Sequence, residues 1–361
     1  MRPTWAEINL KALSHNFLRT TEIVGEKVKV LTVVKADAYG HGAVKVSKTL
    51  QELGCDLFGV ATVDEALELR ESDIKAPILI LSSITSDEIN TVVKHSLTPV
   101  VFSLDLLKKL DSYASKNNIR IKYHLKIDTG MNRLGVDNNK LYEYILEIKN
   151  LNNVIMEGAF THLSSADIDK AYTMEQISLY KQSLNTLNAL GYKPTYEHAA
   201  NSAALQRYRD SHFNLVRPGI MIYGACGAED VYLHPVMKLK SKIIQIKQLP
   251  KGSPVSYGGT FVTDRLTRIA VIPIGYADGY IRHLSNKAMV SIGGSTAPVI
   301  GRVCMDLTII DITDFKDISV GDEVVLFGDE NISVDKLASL ADTISYELLS
   351  IVGKRVPRVY V

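Results

Sequence analysis

The sequence predicts an α/β chain in two parts. An N-terminal barrel of alternating strands and helices occupies residues 1–230, and a mostly-β domain occupies residues 231–361. Three observations predict this. From residue 28 to residue 224, apolar β-branched runs alternate with amphipathic stretches of helical period, about eight in all. Near residue 230 that rhythm gives way to strand-like runs broken by Gly, Pro and Asp. No Gly-x-Gly-x-x-Gly follows the first strand, which weighs against the alternative, a doubly wound open sheet carrying a nucleotide. About eight βα units in series is the signature of a TIM-type (β/α)8 barrel.

Taken in order, VKVLTVVK is a strand that ends on Lys35, followed by the turn ADAYGHG and the amphipathic run AVKVSKTLQELG. DLFGVAT is a strand and VDEALELRES a helix. PILILS is a strand, and SDEINTVVKHS is a helix with Ser86 as its N-cap. LTPVVFS precedes the helix LDLLKKLDSYASKN, and IRIKYHLKID precedes NKLYEYILEIKN. VIMEGAFTHLS leads to the long helix AYTMEQISLYKQSLNTLNALG, closed by Gly191. PTYEHAANS and FNLVRPGIMIYG complete the series. In the second domain VMKLKSKIIQIKQL, SPVSYGG, TRIAVIPIGYADGY, KAMVSIGG, APVIGRVCMDLTIIDIT and DEVVLFG read as strands. SVDKLASLADTIS, continued by YELLSIVG, reads as a last helix before KRVPRVYV.

Composition narrows the function classes. Apolar residues make up 46% of the 361, enough for a sizeable core. Basic and acidic residues balance at 41 and 40, with no basic patch interleaved with aromatics, so neither nucleic acid nor a membrane surface is indicated as the partner. Cys55, Cys226 and Cys304 lie far apart and form no Cys-x-x-Cys pair, which fits free thiols. The N-terminus has no apolar signal core and no run could span a bilayer, so the cytoplasm is the default location. The histidines have no metal-ligand spacing and the carboxylates do not cluster, so no metal is expected.

In a barrel of this class the active site lies at the C-terminal ends of the strands. The first strand ends at Lys35, with Tyr39 four positions on. The fifth ends in HLKIDTGMNRLG, supplying Lys126, Asp128 and Arg133. The sixth supplies His162 and Asp167, and the seventh His198, Asn201 and Ser202. The eighth brings Arg217 and the backbone amides of Gly219 and Ile220. A lysine at the rim of a core strand is either a solvated strand end or an amine placed to form a Schiff base. Barrel enzymes often hold phosphate with the loops after strands seven and eight. Ser202 and the Gly219–Ile220 amides lie there. A phosphate cup combined with a strand-end lysine points to pyridoxal 5′-phosphate (PLP).

Nine motifs then carry a family resemblance: VVKADAYGHG, KIDTGMNRLG, THLSSAD, HAANSAA, VRPGIMIYG, VSYGGTF, GYADGY, GRVCMDLTIID and RVPR. They run from residue 33 to residue 358 and resemble those of the bacterial PLP-dependent alanine racemases over essentially the whole chain. The resemblance implies that Lys35 carries the cofactor and is the base on one face, with Tyr257 the base on the other. Racemisation needs one group to remove the α-proton and another to return it from the opposite side. An amine and a phenol both titrate near about 10 unperturbed, so both need activation. His162 is the implied source of positive charge for the phenol.

The resemblance further implies Tyr39, Ser202, Gly219 and Ile220 as phosphate contacts, with Asn201 beside them. Arg217 would face the pyridine nitrogen, backed by His198. Arginine only donates and stays charged, so the ring nitrogen would remain unprotonated and the ring a poorer electron sink, which favours racemisation over transamination. Arg133, Met305 and Asp306 are implied at the substrate carboxylate. Lys126 is the position that is carbamylated in many relatives. Asp167, Tyr276, Arg282 and Arg302 match the substrate channel. Tyr257, Tyr276, Met305 and Asp306 would come from the other subunit of a head-to-tail homodimer. D-alanine supply for peptidoglycan is the implied role. One departure stands out: where many relatives have tyrosine before Arg-Val-Pro-Arg, this chain has Lys354.

Three rivals share features of this reading. A PLP decarboxylase of basic amino acids usually carries Glu-Pro-Gly-Arg near the phosphate, where this chain has VRPG. A PLP-carrying homeostasis protein would lack the β domain. A serine or broad-specificity racemase is the third, since one hydroxyl changes the energetics of an apolar pocket only modestly.

Overall fold

The computed structural model describes residues 3–228 and 230–361. The apolar runs of the first part form parallel strands at Lys29–Val33, Leu57–Val60, Ile78–Ile80, Thr98–Val101, Ile121–Asp128, Val154–Phe160, Tyr196–His198 and Leu215–Val216. From the first to the seventh each pairs with the next in sequence, and the eighth returns to pair with the first. The seventh and eighth are joined only by hydrogen bonds such as Arg217 N to Ala200 O at 2.9 Å, so the eight-stranded barrel is nearly closed. Its strands are buried on both faces, which is why they read as continuous apolar runs rather than as alternation. Short polar side chains start the surrounding helices: Thr62, Ser103 and Asp169 each accept the backbone N–H three residues on.

The second part is mostly β, as expected. Strands Ser295–Pro298, Met289–Ile292, Glu323–Phe327, Met237–Lys242, Thr4–Ile8 and Arg358–Tyr360 lie in that order in one sheet. Gln245–Leu249, Thr267–Ile272 and Thr308–Asp311 form another. A two-stranded hairpin, Pro254–Val255 with Phe261–Val262, stands apart and carries a 3-10 turn at Tyr257–Gly259. One apolar core runs from the barrel into the large sheet, with a small satellite of Val255, Ile269 and Ile300 under the hairpin. No helix of the described residues is long and apolar enough to cross a membrane.

Several sequence expectations need correction. The first strand of the chain, Thr4–Ile8, lies in the C-terminal sheet, antiparallel to Met237–Lys242 and parallel to Arg358–Tyr360, so a division at residue 230 does not separate the two parts cleanly. Thr85, not Ser86, caps its helix, its amide donating to Glu88 Oε2 at 2.7 Å. The eighth strand does not run to Gly224. Pro218 has no N–H for a ladder, and Ile220–Tyr223 turn instead into a 3-10 helix. The last helix is two, Val334–Leu340 and Ser345–Ser350, broken where Asp342 takes a φ of 55°.

Candidate active site

A cavity of about 820 Å³ opens at the C-terminal mouth of the barrel. Lys35, Tyr39, Lys126, Arg133 and His162 line it, together with Asn201, Ser202, Arg217, Gly219 and Ile220. These are the strand-end residues anticipated from the sequence, brought from five different strands to one place.

Lys35 stands just past the end of the first strand, and the chain after it is unusual. Ala36, Asp37, Ala38 and Tyr39 all take φ near +53°, a left-handed turn. Such a conformation costs roughly 1–2 kcal/mol per residue for L-amino acids. Specific bonds hold it. Ala36 N donates to Glu65 Oε1 at 2.7 Å, Ala43 N to Asp37 Oδ1 at 2.7 Å, and Ala38 N to Val34 O at 2.9 Å. From the C-terminal part, Arg358 Nε donates to Gly40 O at 2.9 Å. The same guanidinium ties down Val352 O, Gly353 O and Val356 O. The turn swings Tyr39 back into the cavity beneath Lys35. Partial burial and the nearby Arg133 hold the Lys35 amine below the usual lysine range.

Arg217 is 4% exposed, yet among the described residues it has no carboxylate partner. It donates to neutral acceptors: His198 Nδ1 at 2.9 Å, Thr161 O at 2.7 Å and Ala199 O at 2.9 Å, with His162 Nδ1 at 3.3 Å. Phe160 lies under its guanidinium, 5.0 Å from ring centre to Cζ. A fixed positive charge is therefore held in the cavity wall without local compensation.

Burial and Arg217 drive His162 well below the ordinary histidine range. The expectation of a cationic His162 is accordingly not met. The ring is neutral, its Nδ1 faces a donor, and its Nε2 carries the proton. Lys126 is buried, and desolvation with Arg133 and Arg217 nearby brings its amine down to about 8. Its Nζ sits 5.5 Å from the Phe160 ring centre.

A cup of donors closes the other end. Ser202 Oγ accepts from Gly219 N at 2.9 Å, and the amides heading the 3-10 turn Ile220–Tyr223 lie beside it. Asn201 does not point inward as a donor. It caps the helix Ser202–Arg207 by accepting from Ala204 N and donates to Leu163 O. Gly219 leaves room here: a Cβ on it would lie 2.6 Å from Tyr39 Oη, so any larger residue would push the phenol from its place beside the cup.

The remaining predicted residues are not in this cavity. Tyr257 is 70% exposed at the tip of the hairpin, and Tyr276 and Met305 are 42% and 53% exposed on the same domain. Asp306 is paired with Arg355, which also donates through Nε to the fully buried Asp278 at 2.6 Å. Arg282 and Asp167 are exposed, and Arg302 O accepts from Ser256 Oγ at the hairpin base. His198 lies behind Arg217, not on the cavity surface. Lys354 is exposed and lines a separate surface cleft with Asp37 and Arg358, so it does not replace an aromatic wall in this chain's own cavity. The sequence reading missed Tyr346, Glu347 and Ser350 of the helix Ser345–Ser350 and Ile351 just after it, which roof the cavity. Only the helical period of YELLSI marked them, and period alone does not say what a face covers.

Comparison with known proteins bears directly on this geometry. Family models described as "Alanine racemase, N-terminal domain" and "Alanine racemase, C-terminal domain" match residues 8–226 and 236–360. The chain is 43% identical to the alanine racemase of Halothermothrix orenii over 367 residues, covering 99% of this chain and 97% of that one. It superposes on the solved alanine racemase of Clostridium difficile in complex with cycloserine with a TM-score of 0.92 at 39% identity, over 100% of this chain and 96% of that one. It superposes on the solved alanine racemase of Bartonella henselae with covalently bound pyridoxal phosphate with a TM-score of 0.93 at 30% identity, over the full length of both. With both domain models matched and full-length identity above 40%, the chain belongs to the alanine racemase family.

Proposed function

We propose that this chain interconverts L- and D-alanine on PLP by a two-base route, that it works as a head-to-tail homodimer whose sites draw on both subunits, and that in the cytoplasm it supplies D-alanine for peptidoglycan. The observation that carries the two-subunit reading is a separation. Lys35 faces the barrel cavity, whereas Tyr257 projects from a hairpin outside it and is 70% exposed. Cycloserine, a cyclic relative of a small amino acid, is the ligand of the C. difficile structure and fits a substrate of this size.

The groups present suit the cofactor. The hydroxyls of Tyr39 and Ser202 and the amides of Gly219 and Ile220 would take the phosphate, Arg217 the ring nitrogen, and Lys35 the aldehyde. When bound, PLP acidifies the α-proton of an amino acid joined to it. Everything else falls to the chain. Lys35, with its amine already below the lysine range, takes or returns the proton on one face. Tyr257 of the second copy does so on the other. His162 Nε2–H is free to donate to that phenol. Arg133, Met305 and Asp306 would orient the substrate carboxylate, with Tyr276, Arg282, Arg302 and Asp167 at the approach. Arg217 cannot surrender a proton to the ring nitrogen at neutral pH. That limits electron withdrawal by the ring and favours prompt return of the proton to Cα over transamination.

Lys126 enters the proposal as a carbamate. Its amine, near 8, is free base often enough to add carbon dioxide, and the resulting carboxylate would sit among Arg133, Arg217 and Lys35. Intact-protein mass measured in bicarbonate at mildly alkaline pH should exceed the sequence mass by one carbon dioxide. A mass equal to the sequence mass would remove this element.

Mixing tests the shared site. Homodimers of Lys35→Ala and of Tyr257→Phe should each be inactive, but random exchange of their subunits should restore about a quarter of the parental D-alanine formation, because each mixed dimer then holds one intact site. No recovery after verified exchange, or an active monomer at high dilution, would rule it out.

A further inference from the structure

Behind Arg217 runs a line of buried rings that touches neither the cavity nor solvent. Arg217 Nη1 meets His198 Nδ1 at 2.9 Å, and His198 Nε2 meets His124 Nδ1 at 2.9 Å. Beyond His124, its Nε2 faces Glu157 Oε2 at 3.9 Å, and Glu157 Oε1 accepts from Lys122 Nζ at 2.6 Å. Arginine has donors only, so His198 Nδ1 must be the bare nitrogen. His198 Nε2 must then carry the proton and donate to His124, whose Nδ1 must be bare. The proton of His124 is left on Nε2, toward the carboxylate. This one tautomer satisfies both contacts of His198 at once, Arg217 on Nδ1 and His124 on Nε2, and without His124 the buried Nε2–H would have no acceptor.

The fold makes specific room for the second ring. The register between Ile121–Asp128 and Val154–Phe160 shifts between Tyr123 and His124. Opposite stands Gly158, where a Cβ would lie 2.4 Å from His124 Nδ1. Phe160 stacks on His198 with ring centres 4.7 Å apart. Burial also holds both imidazoles far below their ordinary range, consistent with two neutral rings. A protonated ring would set one donor against another.

We propose that His124 is a positioning residue: by accepting from His198 Nε2–H it locks the tautomer that offers Arg217 its acceptor, and so keeps the guanidinium aimed into the cavity, with Glu157 as the polar end of the chain. This rests on reading Arg217 as the group that faces the cofactor's ring nitrogen. The tautomer measurement below does not depend on that reading, so the two can fail separately.

The test is ¹⁵N NMR of ring-labelled histidine in the holoenzyme, with the visible spectrum of the bound cofactor and steady-state kinetics alongside. His198 should show a protonated Nε2 and a bare Nδ1. In His124→Phe, which removes the acceptor, His198 should lose that single tautomer, the visible band should shift, and kcat should fall on the order of tenfold with KM within about twofold. His124→Asn places a carbonyl oxygen where Nδ1 lies and should restore tautomer, band and kcat. The unmutated protein alone is decisive should His124→Phe not fold: a proton on His198 Nδ1 overturns the proposal. So does a His124→Phe enzyme with the parental tautomer, or a His124→Asn enzyme that behaves like the phenylalanine variant. Loss of the single tautomer in His124→Phe with an unchanged cofactor band would overturn only the assumed role of Arg217.

Discussion

The barrel mouth and the hairpin face of the C-terminal domain treat their functional side chains in opposite ways. In the barrel, Arg217, Ser202 and Lys126 are buried, and hydrogen bonds to neighbouring strands fix the arginine and the serine. On the hairpin face, Tyr257, Tyr276, Met305 and Leu307 stand exposed in a cluster of motifs, with Leu266 and Val262 nearby in sequence and exposed as well. A folded chain keeps large apolar surface in water only when something else covers it. On the proposed dimer reading, the buried barrel groups are the part of the site that one chain completes, and the exposed hairpin groups are the part offered to a second copy.

The sharpest way to break this comparison is at the barrel. Lys35→Ala should lower alanine racemisation by about 10⁴-fold or more and abolish the visible absorbance of the bound cofactor. A retained band would take the lysine out of its assigned place. On the exposed side, Tyr257→Phe should leave that band in place and lower the entry of solvent deuterium at Cα of L-alanine by about 10²–10⁴-fold, with a smaller effect on its entry at Cα of D-alanine, while kcat/KM for racemisation falls equally in both directions. Equal and slight effects on the two exchanges would mean that the hairpin supplies no base.

The smallest effect sharpens the contrast through pH. Among the described residues, four barrel histidines are pushed furthest below the usual range: His41, held near 4, His124, near 3, and His162 and His198, well below it. Unfolded, these rings titrate near 6.5, so acid protonates the unfolded chain first. Their contribution to stability is intact above about 6.5 and declines as pH falls toward 4, by roughly 1.4 kcal/mol per pH unit for each ring. Thermal midpoints should therefore drop between pH 7 and pH 5, with amide exchange rising first in Ile121–Asp128 and Tyr196–His198. A flat profile would mean that the rings are protonated in the fold.

Much of the site was legible from residue types at strand ends. Lys35, Arg133, His162, Ser202 and Arg217 meet in one cavity because a parallel barrel carries every strand's C-terminal end to the same mouth. Order along the chain was therefore enough to predict proximity. The left-handed turn at Ala36–Tyr39 was not legible. Of its residues only Asp37 tolerates that conformation readily, and it persists through Glu65 and Arg358, distant in sequence. Asn201 lines the cavity and at the same time caps the helix Ser202–Arg207, a second use that the residue type alone did not announce. The roof from Ser345–Ser350 and the rings behind Arg217 were invisible for the same reason: each depends on contacts that close across the tertiary fold.

By itself, then, the sequence determined the barrel, the β domain, the family and many of the residues that line the barrel cavity, because periodicity, turn residues and strand-end chemistry are local properties. Only the tertiary structure decided that Thr4–Ile8 joins the C-terminal sheet, that His162 is neutral, and that Tyr257 stands outside its own chain's cavity. Pairing, desolvation and exposure are set by what lies opposite a residue in space, and neighbours along the chain do not specify that.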